Sequence, residues 1–397
     1  RDTDRSRGLG DVYKRQQLYE PGDKRLDAAY TIFYMGVNVG SFAAPLICGF
    51  LGDTGNPQDF KWGFLASGIM TLFTVVLFET QKNKYLFSPS GEPIGIVPDA
   101  RREKKEDKAE HISHPKMDKR TKVRNIIIIT ALTVALIAFF SYAFSDDWIS
   151  VGIFTACIVF PVLILLDGSL TKVERSRIFV IYIVAFFVIF FWAAYEQAGA
   201  SLTLFASEQT DRSIFGWEMP ASWFQSFNPL FVVILAYIMP GIWGFLNKRN
   251  MEPASPTKQA IGLLLLSLGY LFICFGVKDA IPGVKVSMIW LTGLYFIHTM
   301  GEIALSPIGL SMVNKLSPLR FASLMMGIWY LSTATANKFA GMLSGLYPED
   351  GKVKSILGYQ IATMYDFFML FVIMSGVASL ILFLLSKKLQ KMMHGVE

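Results

Sequence analysis

Residues 178–205 read IFVIYIVAFFVIFFWAAYEQAGASLTLF, a largely apolar and aromatic stretch whose one charged residue is Glu196. As one helix this stretch would be roughly 42 Å long at 1.5 Å per residue, enough to cross a hydrocarbon core of about 30 Å with some tilt. A carboxylate at that depth costs about 2.5–3.5 kcal/mol on insertion scales, so it faces a protein interior or a watery cavity rather than lipid. Glu196 is therefore the first candidate functional residue.

The remainder of the 397 residues follows the same pattern. Hydrophobic residues make up 53% and charged residues 17% of the chain, a balance that leaves long charge-free runs and defines an all-α integral membrane protein. Ten such runs predict ten transmembrane helices, at about 28–52, 62–78, 125–145, 148–166, 178–207, 219–246, 259–277, 286–314, 321–347 and 358–386. The net charge of +6 resembles a nucleic-acid signal until the charges are placed: they lie mostly in the connections, which excludes a nucleic-acid partner and leaves the lipid bilayer. With residues 1–27 inside, 30 of the 37 Lys and Arg residues fall on one side, 6 on the other, and Lys338 within a helix. Both termini are accordingly expected to be cytoplasmic, in a multi-pass protein of the inner (plasma) membrane.

Residues 1–16, RDTDRSRGLGDVYKRQ, are polar, begin without Met and contain no apolar core for a secretory signal, so they are expected to be foreign to the natural protein. The connection 81–124 is expected to be a solvated cytoplasmic linker with twelve Lys and Arg residues. His111 and His114 within it have no Cys or further His beside them, and Cys48, Cys157 and Cys274 each fall inside an apolar run, so neither a metal, a cofactor nor a disulfide framework is expected.

Several residues stand out within the apolar runs. Tyr34, Asn38, Ser41 and Pro45 share a helical face in the first run, where Asn38 is a candidate cavity-lining residue and Gly36 and Gly40 permit close helix packing. Trp192 precedes Glu196 by one turn. In the run 286–314, SMIWLTGLYFIHTMGEIALSPIGLSMVNK, Glu302 is a second mid-membrane acid, with His298 one turn before and Ser306 one turn after. Two buried acids on separate helices suit a proton-coupled carrier; the bland alternative is an ion pair, for which Lys338 is the sole mid-helix cation. Pro229 after Asn228, and Pro307 after Ser306, each remove a helical N–H and are candidate bending points. A membrane-embedded enzyme would need a catalytic pair such as two aspartates, a Ser and His set or HExxH, and the apolar runs contain none, so the chain is read as a non-enzyme.

Five segments, FYMGVNVGSFAAPLI (33–47), FWAAYEQAGASLTLFASEQTDR (191–212), MPASWFQSFNPLF (219–231), GEIALSPIGLSMVNKLSP (301–318) and MMGIWYLSTATANKFAG (325–341), occur in the order found in the proton-dependent oligopeptide transporter family of the major facilitator superfamily, which the chain resembles from about Leu18 onward. The resemblance implies two six-helix bundles around a central cavity, with two additional helices between them in bacterial members. It implies that residues 17–80 hold the last two helices of the N-terminal bundle, 125–167 the two additional helices and 168–397 the complete C-terminal bundle, so that the first four helices are missing. It further implies that Glu196 and Glu302 are proton-coupling residues, the first also meeting the peptide amine and the second switching a salt bridge to a fourth-helix lysine. Asn38, Trp192, Asn228, Trp329, Tyr330 and Thr333 resemble positions that line the peptide site, while Tyr195 stands where some relatives have a second acid. The implied activity is symport of protons with di- and tripeptides by alternating access. Without its first four helices, the chain as given is expected to be inactive. A carrier for another small solute and an inactive membrane fragment are the competing readings.

Overall fold

The structure, a computed structural model, describes residues 25–87, 118–144, 147–278, 284–318, 321–349 and 352–395. Expectations for residues 1–16, and for His111 and His114 in the linker, lie outside the described residues. Eleven α-helices lie among the described residues: α1 (Arg25–Gly52), α2 (Phe60–Tyr85), α3 (Lys119–Phe144), α4 (Trp148–Leu165), α5 (Lys172–Tyr195), α6 (Ser201–Glu208), α7 (Phe227–Lys248), α8 (Ser255–Val277), α9 (Met288–Leu316), α10 (Ala322–Ser344) and α11 (Met364–Met392). Nine segments among the described residues are long and apolar enough to span a membrane. The tenth expected span, α10, has the length at 23 residues, but its Ser, Thr, Asn and Lys side chains dilute its hydropathy. The protein is a multi-pass membrane protein.

Local sequence explains the helix starts. Thr171 caps α5 and Thr363 caps α11, each in a reciprocal capping box with the acid three residues on, Glu174 and Asp366. Pro307 lies inside α9 as expected. Pro229, expected to bend a helix, is instead the third residue of α7, directly after the 3₁₀ segment Ala221–Ser226. In a first turn the proline N–H would have no intrahelical partner anyway, so this residue starts the helix rather than kinking it.

Burial locates the core. Over half of the most apolar window is buried in the α5–α6 span and in α8 (56% each), against 6% in α2 and none in α3. The core thus lies among α5, α8, α9, α10 and α11, with Phe191, Phe205, Tyr270, Phe367, Phe368 and Phe371 fully enclosed. Helix α8 carries glycine at 262, 269 and 276, a seven-residue repeat that presents one bare stripe. Against it lie the Gly301 backbone, the His298 ring and the Trp290 ring of α9, in that order. Small residues let backbones approach where lipid supplies no hydrophobic drive for helix association.

Three connections carry short strands that the sequence reading did not anticipate. Thr210–Asp211 pairs in parallel with Val286–Ser287, while Ser213–Ile214 with Trp217–Glu218 and Lys354–Ile356 with Tyr359–Ile361 form hairpins. Both hairpins turn on two residues at positive φ, Phe215–Gly216 and Leu357–Gly358, the geometry that matches the twist of paired strands.

Helix α1 and the residue that follows it are fastened to the 3₁₀ segment Ala221–Ser226 that precedes α7. Asp53 accepts from the Ser222 N–H and hydroxyl at 3.1 and 3.2 Å, the Trp223 indole donates to the Leu46 carbonyl, and the Ser226 hydroxyl donates to the Phe42 carbonyl. The α3–α4 hairpin is tied to α10 by an ion pair of Asp147 with Lys338 at 2.5 Å. Lys338 is thereby committed to the hairpin, which removes it as a partner for Glu302. The Lys338 ammonium, followed by the Ser150 backbone and hydroxyl, lowers the Asp147 carboxyl to about 2. Its folded-state value lies below its unfolded one, so the pair stabilises above the ordinary carboxylate range and is lost as pH falls toward 2. The melting difference between wild type and Lys338→Met in detergent is therefore expected to stay constant from about pH 8 to pH 5. A difference that vanished by about pH 6 would show that a group other than Asp147 holds Lys338.

Candidate functional site

The continuous helix expected over 178–205 is interrupted in the structure. Helix α5 ends at Tyr195, Glu196–Gly199 forms a 3₁₀ turn, Ala200 adopts φ −129° and ψ −101°, and α6 restarts at Ser201. The segment EQAGAS holds a glycine and two small residues, which tolerate such backbone, and polar side chains able to repair it. Inside a membrane every freed carbonyl must find a donor, and here side chains supply donors to the carbonyls of Ala193, Ala194 and Ala198. The fully buried Gln197 amide donates to the carbonyls of Ala193 and Ala340 and accepts from the Ser201 hydroxyl at 2.6 Å. Tyr270 of α8 donates to the Ala194 carbonyl at 2.6 Å, and Thr203 to that of Ala198 at 2.7 Å. Gln197 and Tyr270 had no signal in hydropathy: their role exists only because the backbone breaks.

The break sets Tyr195 and Glu196 at the end of α5, facing α7 and α9. Glu302 Oε2 accepts from the Tyr195 hydroxyl at 2.5 Å and from the Asn228 amide at 2.8 Å. The same amide nitrogen is also 3.1 Å from the Thr299 hydroxyl and in close contact with the Tyr195 oxygen, so its two hydrogens are shared among three acceptors. Three helices thus converge on one carboxyl group through neutral donors. Neither Glu302 nor Glu196 has a basic partner among the described residues, and the two acids are close enough to feel each other's charge. Glu196 is half-buried and has no hydrogen-bond partner among the described residues.

The other candidates divide. Trp192 lies beside this cluster, edge-on to Tyr195 with ring centroids 5.3 Å apart. Asn38 is buried on α1, one turn before the Phe42 carbonyl that receives Ser226. Trp329 is 4% exposed and its ring covers Gly309, leaving no room for a side chain there, whereas the adjacent Tyr330 is 55% exposed. Thr333 follows one turn after Tyr330, half-buried on the same face of α10. The structure therefore joins Trp192, Glu196, Asn228 and Glu302 and sets Trp329 apart as a packing residue in this conformation. His298 is a packing residue too. It is 3% exposed, bonded to the Leu266 backbone, and wedged against Gly269 with Nε2 unpartnered among the described residues. Tyr195 and Thr299 complete the cluster; only the first was a sequence candidate, and of uncertain role.

An interrupted membrane helix whose broken end faces a buried acid defines a class: polytopic carriers with discontinuous helices, in which irregular backbone lines a central site. The comparisons place the chain within that class. The sequence model described as "POT family" matches residues 16–361, and the chain belongs to this family of transporters, which are not enzymes. It is 31% identical over 338 residues to the peptide transporter YePEPT of Yersinia enterocolitica, covering 83% of this chain and 63% of that protein. It is 28% identical to dipeptide and tripeptide permease A of Escherichia coli, covering 83% of this chain and 60% of the relative, so it spans less than two thirds of both. Among solved structures it is similar to the peptide transporter POT in complex with sulfate, at a TM-score of 0.74 and 29% identity, covering 96% of this chain and 72% of that one. A POT family transporter in complex with 5-aminolevulinic acid gives a TM-score of 0.70 at 26% identity over 95% of this chain and 72% of that one. The fold is accordingly that of the major facilitator transporters.

Proposed function

We propose that the full-length protein is a symporter of protons with di- and tripeptides, working by alternating access across the inner (plasma) membrane with both termini cytoplasmic. The observation that carries this reading is Glu302, a membrane-embedded carboxyl group held, among the described residues, by neutral donors from α5 and α7, beside a second acid, Glu196, at a helix break. A permanently ion-paired acid has no reason to exchange its proton; one held by a phenol and an amide can. Glu196 and Glu302 carry the protons in this reading. Asn38, Trp192, Asn228, Trp329, Tyr330 and Thr333 form the substrate site, with Trp329 bracing it from behind in the conformation described. Aromatic walls with few charged anchors suit ligands that share a backbone and differ in side chains. At 100 mV each net charge moved inward supplies about 2.3 kcal/mol, enough to concentrate a neutral substrate roughly fifty-fold. Membership of the POT family and similarity to proteins named as peptide transporters support the substrate class.

The test is uptake of a labelled dipeptide into proteoliposomes under an inward proton gradient. Uphill accumulation is expected, with competition by unlabelled di- and tripeptides but not by free amino acids or nitrate. Competition by nitrate or by free amino acids, with none by peptides, would reassign the carrier to another solute.

A further inference from the structure

We propose that Tyr195 is a positioning residue for the proton site, its hydroxyl joining Asn228 to Glu302 so that the broken end of α5 dictates how Glu302 is held. The inference rests on the reading of Glu302 as a proton carrier. It starts from three observations. First, the phenol oxygen accepts from the Asn228 amide while its O–H donates to Glu302 Oε2 at 2.5 Å, so one hydroxyl serves two helices. Second, the ring cannot turn freely. It stacks on Phe191 at 5.5 Å and 18°, meets Trp192 edge-on at 5.3 Å, and has the His298 ring 6.3 Å away. Third, Tyr195 is the last residue of α5 and is covalently followed by Glu196, the first residue of the 3₁₀ turn.

The donor arithmetic gives the arrangement a direction. Glu302 Oε2 receives two donors, the Tyr195 O–H and an Asn228 N–H, a pattern that fits an oxygen carrying no proton, which only accepts. When a proton binds that oxygen, the carboxyl group becomes a donor facing two donors. At least one bond must then be released or reversed, and because the Tyr195 ring is clamped, the adjustment falls on the contact between α5 and α9. Protonation at Oε2 thus loosens the joint among α5, α7 and α9 at the point where α5 is already broken, and Glu196 is one residue away. A tyrosine in this place does without a charge what an ion pair would do with one: it holds the carboxylate and lets go of the acid.

The experiment is Tyr195→Phe in the full-length protein, which keeps the ring and removes only the hydroxyl. It is measured in proteoliposomes for proton-driven uptake of a labelled dipeptide, for peptide counterflow without a proton gradient, and for thermal melting. Proton-driven accumulation is expected to fall about tenfold, the pH midpoint of uptake to be displaced by about half a unit or more, and counterflow and melting to stay near wild type. Wild-type accumulation with an unmoved pH profile overturns the inference. Equal loss of accumulation and counterflow, or loss of the fold, also overturns it, by assigning the hydroxyl to substrate contact or to structure. Glu302→Gln run in parallel separates the two levels: if that variant accumulates peptide normally, the proton-carrier reading fails, whereas if it does not and Tyr195→Phe does, only the role of Tyr195 falls.

Discussion

Glu302→Gln in the full-length protein is expected to abolish uphill peptide uptake while leaving counterflow exchange measurable. The substitution is nearly isosteric. A glutamine oxygen can still accept from Tyr195 and Asn228, the two donors that meet at Glu302 Oε2, so the junction of α5, α7 and α9 keeps its shape. What is lost is the ability to alternate between a charged acceptor and a neutral acid. A carrier that no longer takes up and releases a proton equilibrates its substrate but does not concentrate it. The accumulation ratio should then drop from the roughly fifty-fold that one inward charge supports at 100 mV to near unity. Retention of a normal ratio would remove Glu302 from the coupling mechanism. Because Lys338 is engaged with Asp147, it cannot be invoked as a hidden counter-ion that makes the carboxylate dispensable.

The extent to which this architecture was readable in advance depends on the kind of information hydropathy carries. Lengths and boundaries of the spans were legible because burial in lipid selects apolar runs. The expected 148–166 and 259–277 correspond to Trp148–Leu165 and Ser255–Val277. Glu196 and Glu302 were legible because acids in such runs are costly enough to demand a reason. The break after Tyr195 was not: EQAGAS is compatible with a helix, and only the donors waiting on Gln197, Tyr270 and Thr203 make the interruption affordable. Nor could the sequence separate Trp329 from Tyr330. Neighbours on a helix point about 100° apart, and which of the two faces the core is decided by Gly309 on another helix. Lys338 looked like a mid-membrane cation; its partner, Asp147, sits at the turn between α3 and α4, and no periodicity links the two.

The second large effect is expected at the glycine seam between α8 and α9, from Gly301→Val or Gly262→Val. A Cβ at Gly301 would lie 2.8 Å from the Gly262 carbonyl oxygen, and a Cβ at Gly262 would lie 2.9 Å from that of Gly301. Both obstacles are backbone, so neither can step aside by a change of rotamer, and relief requires the helices to separate. Overpacking of this kind costs about 1–3 kcal/mol and more where the backbone cannot yield. Opposing it, replacing a helical glycine recovers only about 0.5–1 kcal/mol of backbone entropy. The sign is therefore set by the clash, and thermal melting in detergent should fall for either variant. Gly341→Ala in α10 provides the contrast, because nothing lies within 4 Å of its added Cβ; there the entropy gain stands alone and melting should hold or rise. Equal responses at Gly301 and Gly341 would show that α8 and α9 do not depend on this approach. The consequence reaches the site directly. Gly301 is the residue before Glu302, and Tyr270, which satisfies the broken end of α5, projects from the same α8 that Gly262 brings close. Spreading the seam would disturb the Glu302–Tyr195 and Tyr270–Ala194 hydrogen bonds together, so a valine side chain placed between two helices should be felt at the neighbouring carboxyl group.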